Sequence, residues 1–261
     1  MPANININPD LFPPPENRDI KIWRYMDFSK FVSMLDAEAL FFCRADLFED
    51  PYEGSITTKD FESRSKNITP KPIPPSEEIQ IRAELNKNAR QWVYINCWHI
   101  NEHESAAMWE LYAKTSEAIA IQTTFEKLHN CFDKNIVLSP IRYVDYEKEH
   151  IPNENGLWQY FHKRKSFEHE KELRCVKLEL NNPNMKKAKE NNINNIYDFI
   201  RNNNNPKKGE QVRISLQNLI HKIHISPTAP SWFLGLVSNI VDKYDLNIDI
   251  VQSSLSNDPI F

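Results

Sequence analysis

The four glycines among 261 residues, Gly54, Gly156, Gly209 and Gly235, stand far apart, so the chain has no glycine-rich loop. Dinucleotide fingerprints and phosphate loops both need several glycines within a few residues, because backbone must close on a pyrophosphate there. Their absence disfavours P-loop and Rossmann architectures, and any nucleotide must be held by side chains and isolated backbone amides. Strand-like runs outnumber helical ones without regular alternation. This predicts an α+β fold, a single mixed domain with a largely antiparallel sheet core flanked by short helices. With 40% apolar and 26% charged residues the chain has the ordinary globular balance, and its length still suits one core.

Residues 1–20 are polar and carry Pro13, Pro14 and Pro15, which predicts an extended arm lying across a domain that runs from 21 to 261. Lys21 to Tyr25 reads as a strand, followed by Phe28, Phe31, Val32 and Leu35 at helical spacing, then a strand at Ala39 to Arg44. An acidic turn, Phe48 to Gly54, closes this unit. A Pro-rich loop is expected at 62–76, and strands at Trp92 to Trp98, Ala118 to Gln122 and Ile136 to Val144. Ser105 and Thr124 are placed to cap short helices. The stretch 181–210 holds eleven asparagines and reads as a solvated surface insertion with one short helix near Ile196 to Ile200. Strands near Val212 to Leu216, Ile220 to Ile225 and Ile248 to Gln252, with an amphipathic helix after Ser231, complete the expected fold.

Charge and composition bound the function classes. A net charge of −4 and a pI near 6.1 provide no basic field for a nucleic-acid backbone. The start has no basic n-region with an apolar core, and no stretch reaches the ~18 apolar residues a membrane span needs. A cytoplasmic chain without a membrane partner is the expectation. Cys43, Cys97, Cys131 and Cys175 are scattered in apolar runs, which fits reduced core thiols.

Four segments in order resemble a bacterial family known as domain of unknown function 2971: Ile22-Trp23-Arg24-Tyr25, the turn Glu49-Asp50-Pro51-Tyr52-Glu53, the helix Met108-Trp109-Glu110-Leu111-Tyr112, and the run from Lys163 to Arg174. In that family the turn usually opens with Asn where this chain has Glu49, and the last run usually has Trp where this chain has Phe167. The resemblance implies a bacterial or phage-borne intracellular protein and transfers no activity.

The chemistry concentrates in Glu170-Lys171-Glu172-Leu173-Arg174. On a strand, Glu170, Glu172 and Arg174 would share a face that continues into Val176 and Leu178, so the carboxylates must pair with cations or reach a cleft. An ion-pair network of Glu172 with Arg174, or of Glu170 with Arg24, is the structural alternative. The E-x-E pair, with Arg24 on an early strand and no glycine loop, also resembles ADP-ribosyltransferases. That resemblance implies NAD as a substrate rather than a bound cofactor. Glu172 would stabilise an oxocarbenium-like sugar, Glu170 would orient the acceptor and Arg24 would hold a phosphate. No Ser-Thr-Ser strand follows Arg24, a departure from that pattern.

Other candidates border the same reading. His99-Ile100-Asn101-Glu102-His103 spells a zinc-peptidase motif, but falls where a strand ends rather than on a helix, so no metal site is expected. Trp23, Tyr25, Trp98, Trp109 and Tyr112 could stack a ring or simply pack. Asp50 and Glu53 could bind a cation or form an exposed turn. The expected cleft therefore comprises catalytic Glu172 and Glu170 with ligand-binding Arg24, Tyr25, Asp50, Glu53, Trp109, Tyr112, Lys165 and Arg174, open to a nucleotide-like small molecule. The rival expectation is a non-catalytic protein or nucleic-acid interaction module. Convergence of Arg24, Glu172 and Arg174 on an open pocket favours the enzyme, and their closure in mutual pairs favours the module.

Overall fold

A computed structural model describes residues 12–66, 75–133, 135–151, 156–179 and 193–260. Residues 1–11 of the expected arm, 67–74 of the Pro-rich loop and 181–192 of the Asn-rich stretch lie outside the described residues. The chain runs through β1 (Lys21–Asp27), α1 (Phe28–Ala37), β2 (Ala39–Arg44), α2 (Thr58–Lys66), α3 (Pro75–Ala89), β3 (Val93–Ile100), α4 (Ala106–Tyr112), β4 (Ala118–Thr124), α5 (Phe125–Asn130), β5 (Ile136–Pro140) and β6 (Arg142–Val144). It continues through β7 (His162–Arg164), a 3-10 helix (Lys165–Glu170), β8 (Glu172–Leu178), α6 (Ile193–Asn202), β9 (Gly209–Arg213), α7 (Leu216–Leu219), β10 (Lys222–Ile225), α8 (Phe233–Lys243) and β11 (Asp249–Gln252).

The fold is α+β. Nine strands form one sheet, in which β11-β10-β4-β1-β3-β2-β9 make a path and β8 and β5 branch from β3. Every pair in it is antiparallel except β10 with β11, and β6 with β7 forms a separate short parallel pair. Alternation along the strands sorts the core. Ile22, Met26, Tyr94 and Trp98 face one layer with Phe31 and Leu35 of α1 and Phe233 and Val237 of α8. Val93, Ile95 and Val176 face another layer with Phe12, Tyr160 and Phe161, and Trp23 and Tyr25 pack with Met108 and Trp109 of α4. The polar arm is thus anchored at its inner end: Phe12 is buried against Trp158 and Phe161, and Ser139 Oγ donates to the Pro13 carbonyl at 3.1 Å.

The feature that positions the site is a split at β3. One edge of β3 pairs with β8 from Val93 to His99. The other is shared, meeting β1 at Ile22↔Ile100 and Trp23↔His99 and β2 at Cys43↔Ile95 and Arg44↔Tyr94. Neither neighbour pairs with the stretch between, Asn96 to Trp98. Backbone polar groups left at such an opening need partners, and side chains supply two of them. Arg24 Nη1 donates to the Cys97 carbonyl at 3.3 Å, and Asn96 Nδ2 donates to the Phe41 carbonyl at 2.8 Å.

Several boundaries differ from expectation for identifiable reasons. The run Ile136 to Val144 divides after Pro140, which has no N–H to continue the ladder; Ile141 N instead donates to the Glu172 carbonyl at 2.8 Å. Residues 62–66 belong to α2 rather than to the Pro-rich loop. The last part of 181–210 is no solvated excursion: α6 places Phe199 against Trp92 with ring centroids 5.1 Å apart, Asn205 is buried, and Gly209 and Glu210 pair with β2.

Candidate functional site

Two side-chain systems meet beside the split, a buried chain of charges along β8 and an open pocket at the split itself. The charge chain begins on β7, where Lys163 Nζ reaches Glu170 Oε2 at 2.5 Å and Glu172 Oε1 at 2.8 Å. The other Glu172 oxygen accepts from Arg174 Nε at 2.6 Å. Arg174 then grips Glu53 with both terminal nitrogens, at 2.6 and 2.7 Å, and Nη1 also donates to the Tyr160 carbonyl at 2.8 Å. A bidentate fork of this kind is the strongest arrangement available to a guanidinium and a carboxylate. It holds the acidic turn down on the sheet. The turn can present Glu53 because Gly54 adopts φ +66°, and a Cβ there would lie 2.5 Å from the Tyr160 ring.

Glu170 arrives differently from expectation. It is not in the strand with Glu172 but ends the 3-10 helix, and Lys171 turns the chain through a left-handed φ of 41° before β8 begins. The turn still delivers the Glu170 carboxyl to Lys163 beside Glu172. His99, across β3, fixes the turn: its Nδ1 lies 2.6 Å from the Glu170 carbonyl. A carbonyl only accepts, so Nδ1 carries the proton and Nε2 is left as a bare acceptor.

Counting charges decides the protonation state. Among the described residues Glu53, Glu170 and Glu172 are bonded into one buried chain with two cations, Lys163 and Arg174. An uncompensated carboxylate in such a place takes up a proton. Burial, and then the neighbouring Glu172, push the Glu170 carboxyl up into the neutral range. Burial would also raise Glu172, but Arg174 and Lys163 outweigh it and hold that carboxylate well below its ordinary value. Burial pushes Glu53 upward too, yet the Arg174 fork uses both its oxygens as acceptors. The odd proton therefore sits on Glu170.

The pocket at the split has a volume of about 550 Å³. Register places its lining on both sheet faces: Arg24 and Trp98 on one, Tyr25, Cys97, His99 and Glu172 on the other. α1 adds Ser29, Lys30 and Ser33, α4 adds Tyr112, and Glu170 completes the wall beside Glu172. Arg24 is half-buried, lies over the Trp98 ring at 5.8 Å, and forms no ion pair with a carboxylate among the described residues. Burial lowers its pKa, but a guanidinium stays charged. It is a cation without a counter-ion, facing a cavity. Burial, and then Glu170 and Glu172, raise the Tyr112 phenol, so it is a neutral donor at the rim.

Of the residues expected in the cleft, Arg24, Tyr25, Tyr112, Glu170 and Glu172 line this pocket, and the others stand elsewhere. Arg174 has no exposed surface and serves the charge chain, as does Glu53. Asp50 pairs with Arg164 at 2.8 Å and Lys165 with Glu149 at 2.7 Å. Trp109 packs edge-on against Tyr25 at 4.9 Å and donates Nε1 to Glu104 at 3.2 Å, bracing the pocket wall from behind. Asp50 and Glu53 of the Pro51 turn are thus each held by an arginine. Among the described residues no group of three or more His, Cys, Asp or Glu side chains could hold a metal ion. His99 ends β3 and α4 starts only at Ala106, so the zinc-peptidase spelling has no helix to carry it.

Sequence reasoning missed Lys163 as the shared cation and the three α1 residues. Lys163 sits in a strand of three residues, too short for a periodic signal, while Ser29, Lys30 and Ser33 read as the solvent face of an amphipathic helix. The fold and site define an α+β chain with a pocket at a split in its sheet, a lone arginine on one wall and a coupled carboxyl pair on another. No family model and no curated protein matches the chain.

Proposed function

We propose that this chain is an ADP-ribosyltransferase-like enzyme that breaks the glycosidic bond of NAD or a nucleotide-like ligand. One observation carries the reading: an arginine without a counter-ion and a pair of carboxyls sharing a single lysine line the same cavity. Arg24 would take a phosphate, Tyr25, Trp98 and Tyr112 would border the sugar and base, and the carboxyl pair would flank the sugar carbon. The chain of five charges is neutral while Glu170 holds its proton and carries one net negative charge once the proton leaves. With a ligand whose departing base takes up that proton, the charge would appear beside a sugar becoming cationic, where a low-dielectric wall makes it most effective. Glu172 would contribute less than its position suggests, because Lys163 and Arg174 already occupy both its oxygens. The four segments that resemble the 2971 family supply Arg24, Glu53, Tyr112, Lys163, Glu170, Glu172 and Arg174, all of which belong to the pocket or the charge chain.

A second reading has its own observation. Arg174, Glu172 and Glu53 are closed on one another, which a non-catalytic interaction module would also require. Incubation of the wild-type protein with NAD, nucleotides and a broad acceptor mixture, followed by chromatography for released base, separates the two. The enzyme releases nicotinamide or another base, and Glu170→Gln reduces that release with the fold intact by circular dichroism. A wild-type protein that releases nothing and forms no adduct is not this enzyme.

A further inference from the structure

We propose that the pocket is built for a nucleoside 5′-monophosphate with a neutral base, whose base must be protonated as it departs, and that Glu170 delivers this proton while Arg24, Ser29, Lys30 and Ser33 hold the single phosphate. The inference rests on the reading above and narrows its substrate class.

The carboxyl end supports it through the charge count. Three buried carboxyls joined to two cations leave one proton in the chain; both oxygens of Glu172 and of Glu53 accept from cations, so the proton falls to Glu170, which lines the cavity. A carboxylic acid in that position is a proton donor. Nicotinamide in NAD is already cationic on its sugar and leaves as a neutral molecule, so it needs no donor. A purine or pyrimidine is neutral on its sugar, leaves as an anion unless protonated, and gains most from an acid beside it. The balance closes. The C1′–N bond breaks with its electron pair going to the base, the Glu170 O–H proton passes to the base, and the sugar becomes an oxocarbenium ion beside the ionised carboxylate. Water then forms the C1′–O bond and returns one proton to Glu170. The products are free base and ribose 5-phosphate.

The other end supports a single phosphate. Ser29 and Ser33 stand four residues apart on α1 and therefore on one helix face, with Lys30 beside them, and all three border the cavity that Arg24 enters from β1. Among the described residues Lys30 reaches only Asp27, at 3.9 Å, so its ammonium is nearly uncommitted there. β8 lies beyond β3 from β1, two inter-strand spacings or roughly 10 Å away. Arg24 and Glu172 stand on opposite faces of the sheet, so a ligand that reaches both the arginine and the carboxyl pair must pass through the split beside β3.

The test compares substrates on the wild-type protein: adenosine, guanosine, cytidine and uridine 5′-monophosphates, the corresponding nucleosides, nicotinamide mononucleotide and NAD, with free base measured by chromatography. Nicotinamide mononucleotide has the same ribose 5-phosphate and differs in its leaving group. At least one nucleoside monophosphate is expected to be cleaved with kcat/KM about 10-fold or more above nicotinamide mononucleotide, a margin within the range general acids supply. Removing the phosphate, or making Arg24→Ala, should raise KM about 10-fold or more, the scale of a lost charge-assisted contact. Glu170→Gln should cut cleavage of the monophosphate by about 100-fold or more while changing that of nicotinamide mononucleotide only a few-fold. Cleavage of NAD or nicotinamide mononucleotide without cleavage of any monophosphate overturns this inference and leaves the enzyme reading standing. Equal rates with nucleoside and monophosphate overturn the phosphate subsite, and no cleavage of anything overturns both. The wild-type comparison keeps the proposal exposed even if a Glu170 variant fails to fold.

Discussion

Arg174 concentrates the structural risk of the whole molecule in one side chain. It has no exposed surface and binds Glu172, Glu53 and the Tyr160 carbonyl together. Arg174→Ala should therefore destabilise the protein by about 3–5 kcal/mol, because it leaves two buried carboxylates facing each other. Arg174→Lys should also cost stability, since an ammonium cannot form the fork; urea denaturation midpoints read both. Glu170 gives a pH signature instead. Lys163, Glu172, Tyr112, His99 and Arg174 surround it, and its carboxyl is pushed up to about 8. Its folded pKa exceeds its unfolded one, so the stability it contributes is complete in acid and is lost as pH rises through the folded value. Glu172 has the opposite sign and loses its contribution only in strong acid. Burial lowers the pKa of His99, His162 and His224, which confines their effect to below neutrality. Between pH 7 and 8.5 the Glu170 slope adds to one of the same sign from Cys43, Cys97, Cys131 and Cys175, whose thiols burial also pushes up. Wild-type melting temperature should fall there by about 2–4 °C for each kcal/mol lost, and Glu170→Gln, which does not titrate, should make the profile shallower than that of the wild type.

Among the elements, the segment after α6 carries more than its asparagines suggest. Asn205 donates to the Gln91 carbonyl and the Tyr94 hydroxyl, both at 2.8 Å, and its carbonyl accepts from the guanidinium of Arg44. Asn205→Ala should cost about 1–3 kcal/mol by leaving buried groups unpaired, read as a lower denaturation midpoint with faster amide exchange in β2 and β9. An unchanged midpoint would mean that water replaces the side chain. Polar composition hid this role because a buried asparagine and a solvated one have the same spelling, and only their partners differ. Strands such as Ala39–Arg44 were legible because alternation and turn residues are local signals. Ser105 and Thr124 were legible for the same reason, since each caps its helix by accepting from an amide three residues on. The split of β3 was not legible. It depends on which strands meet across more than fifty residues, and nothing in Asn96-Cys97-Trp98 announces an edge shared between β1 and β2. The site was legible to the same depth. Glu172 and Arg174 stood out as charges leading into a core strand, whereas the route of Glu170 through a left-handed Lys171 and the choice of Lys163 as partner are properties of the fold.

For the whole molecule, the split makes the pocket a joint between the β1 and β2 sides of the sheet, which meet one edge of β3 at its two ends. β1 continues into β4, β10 and β11, while β2 continues into β9, and β8 into β5. Across the open stretch the described contacts are two side-chain bonds, from Arg24 and from Asn96, and the Arg24 guanidinium over the Trp98 ring. A ligand seated there touches β1, β2, β3 and α1 at once, so its binding energy should appear as cohesion between these parts. Ligand that binds only the folded state stabilises it by about 2.7 kcal/mol at one hundred times its dissociation constant. In a chain of this size that corresponds to a rise in melting temperature of about 5–10 °C. Ribose 5-phosphate is the sharpest probe, because it offers the phosphate and the sugar without a base to stack. It should raise the melting temperature and slow amide exchange along β1 and the open edge of β3, with little change in the distant β10 and β11. Arg24→Ala should abolish the shift without lowering the ligand-free melting temperature by more than the single 3.3 Å bond to Cys97 is worth, about 1 kcal/mol. If ribose 5-phosphate at millimolar concentration moves neither the melting temperature nor the exchange, Arg24 serves only to close the gap in the sheet.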